Sequence, residues 1–118
     1  EISIQLTNWN DALNWTLNHP PIACEDISIA DSEFPVEVII QNESSVNSLD
    51  LGSNIQLSVD AHLTIHQKNV SANLVALNIK GSIANTSIIE IANNSMQKEV
   101  NLSNTGSILN SGTITLRK

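Results

Sequence analysis

From Val36 onward the chain alternates very short apolar pairs with turn residues. The pairs are Leu49-x-Leu51, Leu57-x-Val59, Leu63-x-Ile65, Leu77-x-Ile79, Ile89-x-Ile91, Val100-x-Leu102 and Ile114-x-Leu116. An apolar-x-apolar pair has the two-residue period of a strand, in which alternate side chains share a face. Between the pairs sit Gly52-Ser53-Asn54, Gly81-Ser82, Asn93-Asn94-Ser95, Asn104-Thr105-Gly106 and Asn110-Ser111-Gly112. These residues favour turns, through backbone freedom or through side chains that bond their own backbone. No helical spacing of apolar residues persists through this region. Asn10 to Asn18 allows one helical turn, with Leu13 and Leu17 four apart and Trp15 off that face.

Two architectures accommodate short strands spaced in this way. One is an antiparallel β-sandwich, whose strands recur every 8 to 12 residues. The other is a parallel β-helix, in which short strands stack rung on rung. Inward positions are almost all Ile, Leu or Val, as a thin stacked core requires. Asn is abundant at 16 of 118 residues; it tolerates left-handed corners and stacks in ladders. Both features favour the β-helix. The pairs begin at Leu49, Leu63, Leu77, Ile89, Val100 and Ile114. Those steps are irregular and shorter than a full rung of about 20 residues, which is the point in favour of the sandwich.

Composition narrows the function. Five Lys and Arg against 12 Asp and Glu give a net charge of -7. Nucleic acid and anionic membrane surfaces need clustered cations and are not expected partners. No apolar run approaches the roughly 18 residues of a membrane-spanning helix. Cys24 is the only cysteine, so no internal disulfide forms, and a lone cysteine reads first as a small buried hydrophobe.

Residues 1–35 differ from the rest: they hold both Trp, all three Pro, Phe34 and Cys24. A solenoid end leaves strand edges unpaired and apolar core uncovered. Trp9, Leu13, Trp15 and Phe34 are the bulky groups available to cover it. Pro20 and Pro21 lack the amide that a ladder needs. The expected organisation is a capping segment over 1–35 and β-helix rungs over 36–118. Thr113 to Lys118 still reads as strand, so the chain is expected to be part of a longer one.

Candidate sites are few. Trp9 and Trp15 are the only aromatic platform on which a sugar ring would stack, though paired indoles also pack inward. Asp11, Glu25, Asp26, Asp31 and Glu33 are oxygen donors of the kind calcium takes, but no D-x-D-x-D-G loop organises them. His62 and His66 flank Leu63-x-Ile65 and are expected at the surface, some 13 Å apart in a strand at about 3.3 Å per residue, too far for one zinc. No catalytic, cofactor-binding or metal-binding residue is expected, and the chain reads as a non-enzyme.

One ordered series of motifs spans nearly the whole chain. It runs Trp9 to Trp15, His19-Pro20-Pro21, Glu25-Asp26-Ile27-Ser28-Ile29, Phe34-Pro35-Val36, Leu49-Asp50-Leu51, Leu63-Thr64-Ile65 and Asn110-Ser111-Gly112-Thr113-Ile114. It resembles the β-solenoid modules of large secreted and cell-surface proteins of Bacteroidetes-type bacteria. Its low glycine count and Asn18-His19 before the first proline depart from that pattern. The resemblance implies a right-handed parallel β-helix, an extracellular or cell-surface location, and a structural or adhesive role within a larger parent chain. Extracellular polysaccharide is the ligand class it leaves open.

Overall fold

The computed structural model describes residues 5–11, 14–15, 18–23, 25–67, 76–93 and 102–117. Leu13, Cys24 and Val100 lie outside the described residues, as do Asn94 and Ser95 of one expected turn.

The structure is all-β. Its strands are β1 (Gln5–Asn8), β2 (Asp26–Ile29), β3 (Val36–Ile40), β4 (Ser44–Val46) and β5 (Ser48–Leu51). They continue with β6 (Ile55–Val59), β7 (Leu63–Gln67), β8 (Leu77–Ile79) and β9 (Ser82–Asn85). The last are β10 (Ile88–Asn93), β11 (Leu102–Asn104), β12 (Ser107–Asn110) and β13 (Thr113–Arg117). They form three sheets, ordered β1-β3-β6-β9-β12, β4-β7-β10-β13 and β2-β5-β8-β11. Every strand pair is parallel, which removes the antiparallel sandwich. From β2 onward the chain visits the third, first and second sheets in strict rotation. This arrangement is compatible with a β-helix or solenoid.

Register shows how long one circuit is. Gln56 lies opposite Ser82 and Ser82 opposite Ser107, so successive circuits take 26 and then 25 residues. An earlier one, from Val36 to Ile55, takes 19. The steps of 11 to 14 in the sequence are therefore hops between sheets. Leu63 to Leu77, for example, leads from β7 in one sheet to β8 in another.

Alternate residues of each strand point into the core and stack on their register partners. Val38, Leu57, Ile83 and Ile108 make one column. Ile27, Leu49, Leu77 and Leu102 make another, and Val46, Ile65, Ile91 and Leu116 a third. Of the expected core residues, Leu49, Leu51, Leu63, Ile65, Leu77, Ile79, Ile89 and Ile91 are buried, and Ile114 packs against them. Leu102 and Leu116 are exposed instead, at 37% and 53%. Among the described residues they belong to the outermost strands of their sheets. Each fully buried Leu or Ile contributes about 1.5–3 kcal/mol relative to an exposed one.

Successive corners approach so closely that only glycine fits. Gly81 and Gly106 follow β8 and β11 at equivalent corners; a Cβ on Gly106 would overlap the Gly81 carbonyl oxygen. A Cβ on Gly81 would overlap that of Ile55. At the Gly52-Ser53-Asn54 corner, Asn54 adopts φ 65°, a left-handed conformation that asparagine tolerates.

Strands β1 and β2 lie within residues 1–35 and end their sheets at the amino-terminal side. Trp9 follows β1 and is completely buried in the core cluster. Phe34, expected among the covering groups, is 63% exposed. It sits in the β2–β3 loop, where its amide donates to Ser32 Oγ, and it points away from the core.

Candidate site around Trp15

The two indoles behave differently. The Trp9 amide donates to the Ile39 carbonyl at 2.9 Å, which anchors the residue to the end of β3. With no exposed surface, Trp9 has no ring face to offer a sugar, and its expected role as a platform is corrected here. The apolar interior takes the ring that follows β1 directly, where its area is buried in the core. Its Nε1 is buried without a hydrogen-bond partner.

Trp15 packs edge-on to Trp9, with ring centroids 5.2 Å apart and planes at 76°. Its Nε1 donates to the Trp9 carbonyl at 2.8 Å. These two contacts fix the ring while leaving it half-exposed. A hollow of about 260 Å³ is lined by Trp15, His19, Pro21, Glu25, Asp26, Ile27 and Ser28. A second, also about 260 Å³, is lined by Thr7, Asn14, Trp15, Ser28, Ile29 and Val38 among others. Trp15 and Ser28 line both.

The first hollow is built by short-range bonds. Pro20-Pro21 carries the chain past without ladder donors. His19 Nδ1 lies 2.8 Å from the Pro20 carbonyl oxygen and His19 Nε2 lies 3.4 Å from Glu25 Oε2. Glu25 Oε1 accepts from the Ile22 amide at 3.1 Å, closing the turn before β2. Asp26 Oδ1 accepts from Asn47 Nδ2 at 2.8 Å and Ser48 Oγ at 2.6 Å, tying β2 to β5. Among the described residues β2 is the outermost strand of its sheet, so one of its edges faces away from the ladder.

The other sequence candidates do not converge. Asp31 Oδ1 accepts from the Ser53 amide at 2.7 Å and serves a corner. Among the described residues no group of three or more His, Cys, Asp and Glu is arranged to hold a metal ion. His62 and His66, expected at the surface, are half-buried, with both Nε2 atoms shielded and unpartnered. His66 stands beside Ala92 of β10, so a neighbouring strand flanks it where a free surface was expected. Sequence reasoning missed Pro21 and Ser28 at the Trp15 hollows. The only signal was their place in the ordered motif series. It also missed Asn85 and Asn110, which follow Ile83 and Ile108 by two residues in the same strands, Asn85 buried and Asn110 exposed.

Among the described residues no helix is long and apolar enough to cross a membrane. The chain matches no protein-family model, no curated protein and no solved structure, so no relative identifies it as a β-solenoid module.

Proposed function

We propose that this chain is a right-handed parallel β-helix serving as a non-catalytic structural or adhesive segment of a secreted or cell-surface protein. It belongs, on this reading, to a larger parent chain of the kind its motif series resembles. The observation that carries the proposal is the rotation of the strands around three parallel sheets. Parallel strands joined by regular crossovers share one hand in nearly all cases, the right. A stack of rungs grows along one axis, which suits spacing and projection. One outward row is made of short uncharged or acidic side chains, Ser28, Asp50, Asn78 and Ser103. Members of such a row bond to one another, as Asn78 Nδ2 does to Asp50 Oδ1 at 3.0 Å, which suits a structural surface. The fold class alone does not decide function.

The half-exposed Trp15 favours a second reading, a polysaccharide-binding module that uses this indole and outward polar side chains. The main reading is tested by location and turnover together. Antibodies to the chain should label intact, unpermeabilised cells that make it, and the purified chain should release no product from polysaccharide, peptide or ester substrates. Labelling only after permeabilisation, or sustained turnover, would overturn it.

A further inference from the structure

We infer that the two hollows sharing Trp15 and Ser28 form a binding site for two consecutive units of an uncharged glycan. The inference rests on reading the chain as a non-catalytic adhesive segment, and it supplies what that segment adheres to. Trp15 is held by its bond to the Trp9 carbonyl and by its edge contact with Trp9. An aromatic ring already fixed loses little freedom when a ligand lands on it. The hollows are of similar volume and share Trp15 and Ser28. Two spaces that share the same two lining residues suit a repeating ligand better than a compact one.

The polar groups choose the class of ligand. Glu25 and Asp26 carboxylates accept hydrogen bonds and donate none, so they suit hydroxyl or amide donors and repel carboxylates, sulfates and phosphates. No Lys or Arg precedes Lys68 in the sequence to offset them. A cation is the obvious rival, since carboxylates and an indole attract one. Both carboxylates already accept protein donors, Glu25 from the Ile22 amide beside His19, Asp26 from Asn47 and Ser48, which spends much of their charge within the chain while lone pairs remain for a ligand hydroxyl. Among the described residues the second hollow offers uncharged polar groups, from Thr7, Asn14 and Ser28, beside apolar surface. A cation finds no counterpart there, whereas a pyranose presents both hydroxyls and an apolar face.

The test is to titrate the whole chain with cellohexaose and chitohexaose, following Trp emission, acrylamide quenching and binding heat. Polygalacturonate and choline are the anionic and cationic counterparts, and reducing ends are assayed in the same tubes. Trp9 is buried, so a change in quenching reports Trp15. One uncharged hexasaccharide is expected to shield the indole and to keep its length; the two arms separate plain from acetamido sugars. Ser28→Arg, at an exposed position lining both hollows, should weaken binding about tenfold or more while leaving the melting curve in place. Trp15→Phe should weaken it severalfold. Failure of both uncharged probes at millimolar concentration, tighter binding of choline or polygalacturonate, or undiminished binding by Ser28→Arg would overturn the inference and leave the structural reading standing. New reducing ends would overturn the non-catalytic reading instead.

Discussion

Asn85 Nδ2 donates to Asn110 Oδ1 at 2.9 Å, one rung above it at the same corner. The same amide also donates to the Thr113 carbonyl at 3.0 Å, and Asn85 Oδ1 accepts from the Ser87 amide at 3.1 Å. Asn110 repeats the pattern, its Oδ1 accepting from the Gly112 amide at 3.2 Å. Below Asn85 in the column stand Val59 and Ile40. The corner thus changes from apolar to amide where the chain shortens its turn between the first and second sheets.

Asn85 is 1% exposed, so Asn85→Ala should leave the Ser87 amide and the Thr113 carbonyl without this partner. An unsatisfied buried group costs about 1–3 kcal/mol, and the expected loss of stability is about 2–4 kcal/mol. Asn110→Ala, at an exposed position, should cost about 1 kcal/mol. Urea unfolding of both variants checks the difference. Equal losses would mean that the buried amide is not what holds the corner.

Gly81→Ala tests the close approach of corners. Its new methyl group would meet the Ile55 carbonyl oxygen and come within 2.7 Å of the Gly52 carbonyl oxygen. Both obstacles are backbone, which cannot rotate aside. Overpacking of this kind costs about 1–3 kcal/mol or more. The variant should unfold at lower denaturant with an unchanged slope. A midpoint equal to that of the parent would show that the corner relaxes freely.

Leu77 and Thr64 separate the two faces of the sheets. Leu77 is 2% exposed and stacks between Leu49 and Leu102. Leu77→Asp would place an unpaired charge in the core, and the chain should fail to fold at 25 °C. Thr64 lies in the outward row between Ser45 and Glu90. Thr64→Lys should change stability by about 0.5 kcal/mol or less. Circular dichroism during urea titration reads both. A folded Leu77→Asp protein would contradict the inward assignment of that column.

Much of the architecture was legible because period-two pairs and turn residues are local signals. Leu49, Leu63, Leu77 and Ile89 announce their strands in a few letters, and all are buried. Strands β9 and β12 were not legible, because their pairs end in Asn85 and Asn110 and so break the apolar rule. Missing them made the circuit look shorter than it is. Exposure of Leu102 and Leu116 depends on which strands end each sheet, and no local pattern records that. The Trp15 hollows escaped notice for a similar reason. Trp15 precedes β2 and Ser28 lies within it, and no two-residue pattern signals that they line the same hollows.

Trp9 and Trp15 give the most direct optical check. Trp9 is completely buried and packs against the core, whereas Trp15 keeps part of its surface exposed. There is no Tyr in the chain, so emission belongs to the two indoles. Acrylamide should quench one fraction readily and leave another shielded. Trp15→Phe should retain the shielded, blue-shifted emission and cost little stability. Trp9→Ala should remove that emission and cost about 3–5 kcal/mol, the usual range for a buried aromatic truncated to alanine. The loss should be compounded because the Trp15 ring, which packs against Trp9 at 5.2 Å, loses its support. If the variant does not fold, Trp9→Phe serves in its place, with a smaller loss and the same disappearance of the shielded emission. Equal quenching of both indoles in the parent chain would refute the burial of Trp9 and return it to the surface as a candidate platform.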